Sequence, residues 1–272
     1  MKTNLGTKKR LLSVAILFTI SLIINAQHYN KMNDIPYRND ATGYAAERCK
    51  LDIYYPTDKK DCPVVVWYHG GGLEGGNKHL PNELVNAGYV VVSPNYRLLP
   101  KCTIDECVDD AAAALAWTFN NIEAYNGSAK KIVVSGHSAG GYLTDLLGLD
   151  KTWLAKYELD PDSIVALFPF SGQCITHYNV RREQGIKPLD PTIDKYAPLA
   201  HLRADAPPIF VISGDRETEL YGRYEEQAYF WRMLKLVGHK QAYLYEMQGH
   251  DHGAMPAPAF HIMKEWMRKN IR

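Results

Sequence analysis

One heptapeptide constrains this chain more than any other feature: residues 135–141 read SGHSAGG. A β-branched run at 131–135 leads into it, and a helical pattern at 139–149 follows it. A serine between glycines at a strand-to-helix junction is typical of a strained turn that exposes the hydroxyl above the end of a sheet. Glycines are needed there because side chains beside the turn would collide with adjacent backbone. The pattern predicts a reactive hydroxyl at Ser138.

Short apolar runs alternate with longer amphipathic ones along the rest of the chain. Apolar strands that lack strict alternation and are separated by helices are typical of a mostly parallel sheet with helices on both faces. We therefore expect a single α/β domain. Strands are predicted at 51–55, 64–68, 89–93, 131–135, 164–168, 208–213 and 242–245. Helices are predicted near 80–86, 105–124, 139–149, 223–237 and 257–270. Residues 172–200 fit no regular pattern, and we expect a short lid there.

The first 26 residues have the pattern of a secretory signal peptide. Four basic residues precede an apolar run of about 14 residues, and Ala26 stands at the exit. The run is shorter than the roughly 20 apolar residues that a membrane span requires. We predict cleavage after Ala26, export to the periplasm or the medium, and a folded domain at 27–272, with a retained N-terminal anchor as the alternative.

Charge and cysteine content indicate which ligands and which covalent links are expected. Loss of the signal, with its four basic and no acidic residues, would change the formal charge from +1 to −3. A weakly acidic surface offers no electrostatic reason to bind nucleic acid or anionic lipid. No CxxC pair or Cys/His cluster has zinc-site spacing, so no zinc site is expected. The odd number of cysteines, five, leaves at least one thiol unpaired; Cys102 and Cys107 are the pair closest in sequence.

The segment HGGGL, residues 69–73, follows the predicted strand at 64–68. Acyl transfer places negative charge on a carbonyl oxygen, and N–H groups aimed at that oxygen usually supply the largest catalytic contribution. Consecutive glycines let backbone amides turn toward a bound oxygen without obstruction. We expect the N–H groups of Gly71, Gly72 and Ala139 to form an oxyanion hole, with His69 in a structural role beneath the loop.

A late histidine is expected to act as the base. His250 and His252 lie in the segment QGHDHG, which follows the predicted strand at 242–245. Both reach the same region of the fold. We favour His252 over His250, because a histidine followed by glycine turns more freely toward the serine.

An acid should follow a strand that lies between the serine and the histidine in the chain, where it fixes the tautomer of the histidine. The strand at 208–213 leads into the segment GDRETE, residues 214–219. Asp215 carries the shorter and stiffer carboxylate. Glu217 lies three residues beyond the glycine that ends the strand. The residues alone leave both acids open.

These motifs together resemble one family. HGGGL at 69–73, NYRL at 95–98 and GHSAGG at 136–141 are similar to segments of hormone-sensitive-lipase-like and feruloyl-esterase-like (BD-FAE-type) α/β-hydrolases. The resemblance extends from about residue 50 to residue 266. It implies a triad of Ser138, His252 and an acid at Glu217, with Asp215 as the alternative, because the acid of these enzymes commonly lies three residues after the strand-ending small residue.

The resemblance also implies an activity. Such enzymes hydrolyse carboxylic esters of small molecules or oligosaccharides without a cofactor, and exported members act on acetyl or feruloyl groups of plant polysaccharides. Two alternatives remain: an amidase, formamidase or peptidase of the same fold, and a non-catalytic ligand-binding protein on this scaffold. The occurrence of serine, glycine loop, acid and histidine in one chain favours the esterase. The oligomeric state is not predicted.

Overall fold

The computed structural model describes residues 28–271, which form one mixed sheet of eight strands. The strands are β1 (Tyr29–Pro36), β2 (Lys50–Pro56), β3 (Cys62–Tyr68), β4 (Val90–Pro94), β5 (Gly127–His137), β6 (Ala166–Phe170), β7 (Ile209–Gly214) and β8 (Ala242–Met247). Their order is β1-β2-β4-β3-β5-β6-β7-β8. β2 is antiparallel to both of its neighbours, and all other pairs are parallel. The predicted α/β class is confirmed; the predicted signal and its cleavage site lie outside the described residues.

Helices cover both faces of this sheet. They are α1 (Gly43–Arg48), α2 (Ile104–Asn121), α3 (Ala139–Leu149), α4 (Lys151–Ala155), α5 (Tyr178–Glu183), α6 (Arg223–Leu236) and α7 (Pro256–Asn270). Short 3-10 turns occur at Asn82–Leu84, Ile122–Tyr125, Pro161–Ser163 and Pro198–His201. Among the described residues, no helix combines the length and apolar character required to cross a membrane.

The alternating side chains of the central strands build two cores. Val64, Val66 and Tyr68 of β3 face one core, which contains the buried sides of α2, α3 and α6. Val65 and Trp67 face the other core, where α7 packs against β5, β6 and β7. Because the central strands are buried on both faces, their sequences are continuous apolar runs and do not alternate between apolar and polar residues.

One prediction of secondary structure is wrong, and one strand was not predicted. The helix expected at 80–86 is reduced to the 3-10 turn Asn82–Leu84, after which the backbone of Asn86 takes a positive φ of 54°. β1 escapes prediction because most of its residues are exposed and polar, so it carries no apolar signal. All five cysteines are free thiols, including Cys102 and Cys107.

The topology brings the chemically interesting loops to one edge. Parallel strands end at the same edge of a sheet, and ligands bind there in open α/β folds. The glycine loop follows β3, Ser138 follows β5, the acidic segment follows β7, and the two late histidines follow β8.

Candidate active site

Ser138 occupies the sharp turn between β5 and α3. Its backbone has φ 58° and ψ −116°, a region that a residue with a side chain rarely adopts. Such strain costs on the order of 1–3 kcal/mol and persists only where the surroundings enforce it. The Ser138 N–H donates to the carbonyl oxygen of Phe170 on the neighbouring strand at 2.8 Å, and its carbonyl accepts from Tyr142 in α3 at 3.0 Å. The turn predicted from the sequence is therefore present.

Close backbone contacts explain the glycines around this serine. A Cβ on Gly136 would lie 2.5 Å from the Gly140 oxygen and 2.7 Å from the Tyr68 oxygen. A Cβ on Gly140 would overlap the Tyr68 carbonyl. Any larger residue at either position would push the start of α3 away from the end of β3, and the serine would move with it.

The glycine loop after β3 lies directly beside the serine. A Cβ added to Gly70 would lie 3.3 Å from the Cβ of Ser138. Gly71, Gly72 and Leu73 have φ values of 116°, 65° and 64°, so the backbone turns through a left-handed stretch that glycine favours. Ala139 is the first residue of α3, so its N–H group has no acceptor within the helix.

His69 supports this loop from below. Its Nδ1–H donates to the Gly70 carbonyl at 2.7 Å, and its ring stacks on Tyr96 with 4.4 Å between the ring centroids. Burial lowers the pKa of His69 to about 4, so its ring is neutral at physiological pH. These contacts fit the structural role expected for it.

His252 forms a short hydrogen bond with a buried carboxylate. Its Nδ1–H donates to Glu219 Oε1 at 2.6 Å, and the Glu219 side chain is only 1% exposed. A carboxylate at Nδ1 keeps the proton on that nitrogen and leaves Nε2 free to accept one. This is the arrangement that a histidine base requires.

Three further donors converge on Glu219. The N–H groups of Leu220 and Gly214 donate to it at 2.8 and 3.0 Å, and the Ser171 hydroxyl donates to Oε2 at 2.8 Å. Burial alone would raise the pKa of Glu219. The hydrogen bonds from His252, Leu220 and Ser171, together with the charge of His252, outweigh burial and lower that pKa to about 2. Glu219 is therefore ionised at any physiological pH.

The predicted acid, Glu217, and its alternative, Asp215, are both wrong as partners of His252. After Gly214 the chain makes a helical turn in which Glu219 N donates to the Asp215 carbonyl at 2.8 Å. This turn returns Glu219 to the strand end and leaves Glu217 exposed to solvent. Asp215 instead accepts the N–H groups of Gly249 and Glu217 at 2.6 and 2.9 Å, which lowers its pKa and joins the two loops.

The structure distinguishes the two late histidines. His250 Nδ1 lies 3.0 Å from the carbonyl oxygen of Gln248, within its own loop. Of the two, His252 is the one that contacts Glu219, and its backbone carbonyl accepts a hydrogen bond from His137 Nε2 at 2.8 Å. The rings of His137 and His252 lie 4.6 Å apart. Because His137 immediately precedes Ser138, this contact holds the histidine loop against the serine turn.

The segment expected to form a lid packs on the glycine loop. A Cβ on Gly72 would lie 2.9 Å from both the Tyr178 hydroxyl and the Asn179 amide. Beside this contact is a cavity of about 660 Å³. Its walls include Gln173, Tyr178, Arg181, Leu189, Tyr221 and Glu226. The cavity therefore adjoins the glycine loop on one side and the segment that follows Glu219 on the other.

Residues 51–167 match the family model described as BD-FAE, and this range contains the glycine loop and the serine turn. This part of the chain is similar to that family. The predicted resemblance is thereby confirmed.

This chain is similar to two proteins whose names describe ester-cleaving enzymes. It is 30% identical over 197 residues to the probable carboxylic ester hydrolase LipM of Mycobacterium tuberculosis, covering 62% of this chain and 45% of the relative. It is 26% identical over 231 residues to the probable isoprenylcysteine alpha-carbonyl methylesterase ICMEL1 of Oryza sativa subsp. japonica, covering 75% and 54%. The chain spans about half the length of these relatives.

Solved structures share the architecture over most of the chain. A truncated carbohydrate esterase from gut microbiota superposes with a TM-score of 0.72 at 17% identity, covering 90% of this chain and 97% of that chain. Esterase 2 of Thermogutta terrifontis, phosphoramylated by tabun, superposes with a TM-score of 0.70 at 20% identity, covering 88% and 94%. At these identities the likeness establishes the fold.

Three residues of the site were missed by sequence reasoning. Glu219 lies one helical turn beyond Asp215. That spacing is the one sequence feature that could have indicated its position in the site. Ser171 directly follows β6 at the same edge of the sheet as the other site residues. His137 lies inside the GHSAGG motif, where its ring packs against the ring of His252.

Proposed function

We propose that this chain is an exported serine carboxylesterase that uses Ser138 as nucleophile, His252 as base and Glu219 as acid. The observation that carries the proposal is the 2.6 Å hydrogen bond between His252 Nδ1 and Glu219 Oε1. It orients a histidine whose backbone is tied to the residue preceding a strained serine. The names of the curated relatives, which include a probable carboxylic ester hydrolase and esterases, agree with this activity.

In the first step, His252 Nε2 takes the hydroxyl proton as Ser138 Oγ bonds to the ester carbonyl carbon. The N–H groups of Gly71, Gly72 and Ala139 hold the oxyanion, and Glu219 stabilises the imidazolium. The bond from carbon to the alcohol oxygen then breaks, and the alcohol leaves with the proton from His252. The product is an acyl group on Ser138.

In the second step, water attacks the acyl-serine carbon while His252 takes a proton from that water. The bond to Ser138 Oγ breaks, the proton returns to the serine, and the carboxylic acid is released. The overall reaction is hydrolysis of one ester bond, with no electron transfer and no additional reactant.

As substrates we propose acetyl or feruloyl esters of plant polysaccharides. The cavity beside Gly72 supports this class because it combines aromatic walls, Tyr178 and Tyr221, with the polar side chains of Gln173 and Arg181. The two tyrosine rings lie 6.0 Å apart in an edge-to-face arrangement. A cavity with both aromatic faces and hydrogen-bonding groups suits either a sugar ring or an aryl acyl group.

Export is proposed from the pattern of residues 1–26. Expression of the full chain in a bacterial host, followed by fractionation and N-terminal sequencing, tests it directly. The expected product lies outside the cytoplasm and begins at Gln27. A cytoplasmic product that still begins at Met1 would contradict export.

Activity is tested with purified residues 27–272. Wild-type and Ser138→Ala proteins are offered a short-chain nitrophenyl ester, acetylated and feruloylated oligosaccharides, and formyl and aminoacyl amides. We expect ester turnover that Ser138→Ala lowers by at least about 10³-fold. Turnover that survives the substitution would reject the nucleophile, and faster cleavage of the amides would reject the esterase assignment.

Tyr178→Ala tests the cavity in the same assay. We expect it to raise KM for the oligosaccharide esters by about 10-fold while it alters KM for the small nitrophenyl ester much less. Tyr229→Ala, an exposed tyrosine on α6 that does not line the cavity, is the matched control. Equal effects of Tyr178→Ala on all the esters would mean that the cavity does not hold the carbohydrate.

A further inference from the structure

Ser171 lies at the end of β6, within hydrogen-bonding distance of both members of the proposed acid–base pair. Its Oγ is 2.8 Å from Glu219 Oε2 and 3.0 Å from His252 Nδ1. The residue is fully buried. No step of the proposed reaction yet uses it.

The chemistry of the groups decides the direction of these hydrogen bonds. Glu219 is ionised, since its pKa is lowered to about 2, and it can only accept. The single proton of the Ser171 hydroxyl therefore points to Glu219 Oε2. A lone pair of Oγ then faces the His252 Nδ1–H, which is shared between Glu219 Oε1 at 2.6 Å and Ser171 Oγ at 3.0 Å.

The backbone of Ser171 is held in an unusual conformation that maintains this geometry. Its φ is 47°, in the left-handed region, and its N–H donates to the Ile212 carbonyl at 2.7 Å. The buried guanidinium of Arg223 donates to the Ser171 carbonyl oxygen and lies 3.4 Å from its Oγ. Arg223 is itself fixed by an ion pair with Glu226 at 2.9 Å.

A nearby serine shows that burial alone does not create such contacts. Ser213, on the adjoining strand β7, is also fully buried. Within residues 28–271 its Oγ has no hydrogen-bond partner. Ser171 differs because its hydroxyl lies between the carboxylate and the imidazole.

We infer that Ser171 is a positioning residue that locks the His252–Glu219 pair, holding the Nδ1–H tautomer and the ring orientation that proton transfer from Ser138 requires. The inference rests on the proposed function. It assigns Ser171 no contact with the substrate. Substitution of Ser171 should therefore change kcat rather than KM, and the size of the change should depend on Glu219.

Ester kinetics of Ser171→Ala, Ser171→Gly and Ser213→Ala test this role. Loss of a hydrogen bond to a charged group is expected to lower kcat about 10- to 100-fold and to change KM less than about threefold. Glycine accepts the φ of 47° more readily than alanine, so a similar loss in Ser171→Gly would trace the effect to the hydroxyl. Ser213→Ala should retain wild-type kcat.

A double-mutant cycle separates positioning from general structural damage. In a Glu219→Gln background, Ser171→Ala should cost less than about threefold in kcat, because the pair it holds is already broken. An undiminished further loss in that background, or equal losses in Ser171→Ala and Ser213→Ala, would overturn the inference. So would wild-type kcat in Ser171→Ala.

Proton NMR gives a test that does not depend on turnover. The low-field Nδ1–H resonance, assigned by its loss in His252→Gln, should move and exchange faster with water in Ser171→Ala than in wild type or Ser213→Ala. An unchanged resonance would reject the role of Ser171 whatever the enzyme hydrolyses. Absence of ester turnover from wild type, with the resonance still sensitive to Ser171, would instead reject the proposed function and retain the locked pair.

Discussion

The side-chain amide of Asn179 donates a hydrogen bond to the carbonyl oxygen of Gly72. The contact joins α5, in the segment above the site, to the loop proposed to bind the oxyanion. It is fully buried, and within the described residues the Oδ1 atom of Asn179 has no partner. Holding the Gly72 carbonyl fixes the orientation of the peptide units around it, so Asn179 influences where the neighbouring N–H groups point.

Asn179→Ala is therefore expected to lower kcat for a nitrophenyl ester by about 10-fold, less than the 10²–10³-fold typical of deleting an oxyanion donor itself. Steady-state kinetics measure the effect. Asn121→Ala is the matched control, because Asn121 also donates its amide to a backbone carbonyl but is exposed on α2. Equal kcat values for the two variants would show that Asn179 does not align the loop.

Isosteric substitutions of the three acids test the correction made by the structure. Glu219→Gln should lower kcat by about 10³- to 10⁴-fold, because a neutral amide neither enforces the tautomer of His252 nor stabilises its charge. Glu217→Gln should remain within about twofold of wild type, since its side chain is exposed.

Asp215→Asn should lower kcat by about 10-fold, because it loosens the 215–219 turn against Gly249. Circular dichroism of each variant verifies folding. A larger kcat loss in Glu217→Gln or Asp215→Asn than in Glu219→Gln would restore the acid predicted from sequence.

Much of the architecture was predictable because the burial of a strand determines its pattern of apolar residues. Strands β3, β4, β5 and β7 are buried on both faces, and their apolar runs are visible in the sequence. The serine turn and the glycine loop were also predictable, since close backbone approach at Gly136 and Gly140 demands glycine. β1 was not, because an exposed polar edge strand carries no such signal.

The positions of Glu219, the proposed acid, and of Ser171 beside it depend on geometry that sequence spacing does not reveal. Glu219 reaches His252 only because one helical turn follows Gly214 and carries the longer side chain back to the strand end. Ser171 is near the pair only because β6 lies beside β7 in the sheet. A serine after a strand has no motif of its own, so the sheet order had to be known first.

The hydrogen bond from His137 to the His252 carbonyl predicts a role for the residue next to Ser138, the proposed nucleophile. Burial, followed by the neighbouring His252, lowers the pKa of His137 to about 4, so its ring is neutral and donates through Nε2. His137→Leu removes this donor and should lower kcat by about 10-fold, because the histidine loop loses its tether.

The same substitution should lower the free energy of unfolding by about 1–2 kcal/mol, since it leaves a backbone carbonyl without its donor. Kinetics and urea unfolding measure the two effects. His261→Leu, at an exposed position on α7, is the control. An unchanged kcat in His137→Leu would mean that the loop is held in place by other contacts.

Glu219 should also make stability depend on pH in a defined direction. Its folded-state pKa is lowered from 4.5 to about 2, so folding favours the charged form. The stabilisation is fully present above about pH 4.5 and is lost as the pH falls toward 2. Wild-type protein should therefore lose more stability than Glu219→Gln between about pH 5 and pH 3, as measured by thermal unfolding. Glu217→Gln should follow the wild-type curve. Parallel curves for wild type and Glu219→Gln across this range would show that the buried carboxylate is not held in its charged form by the hydrogen bonds around it.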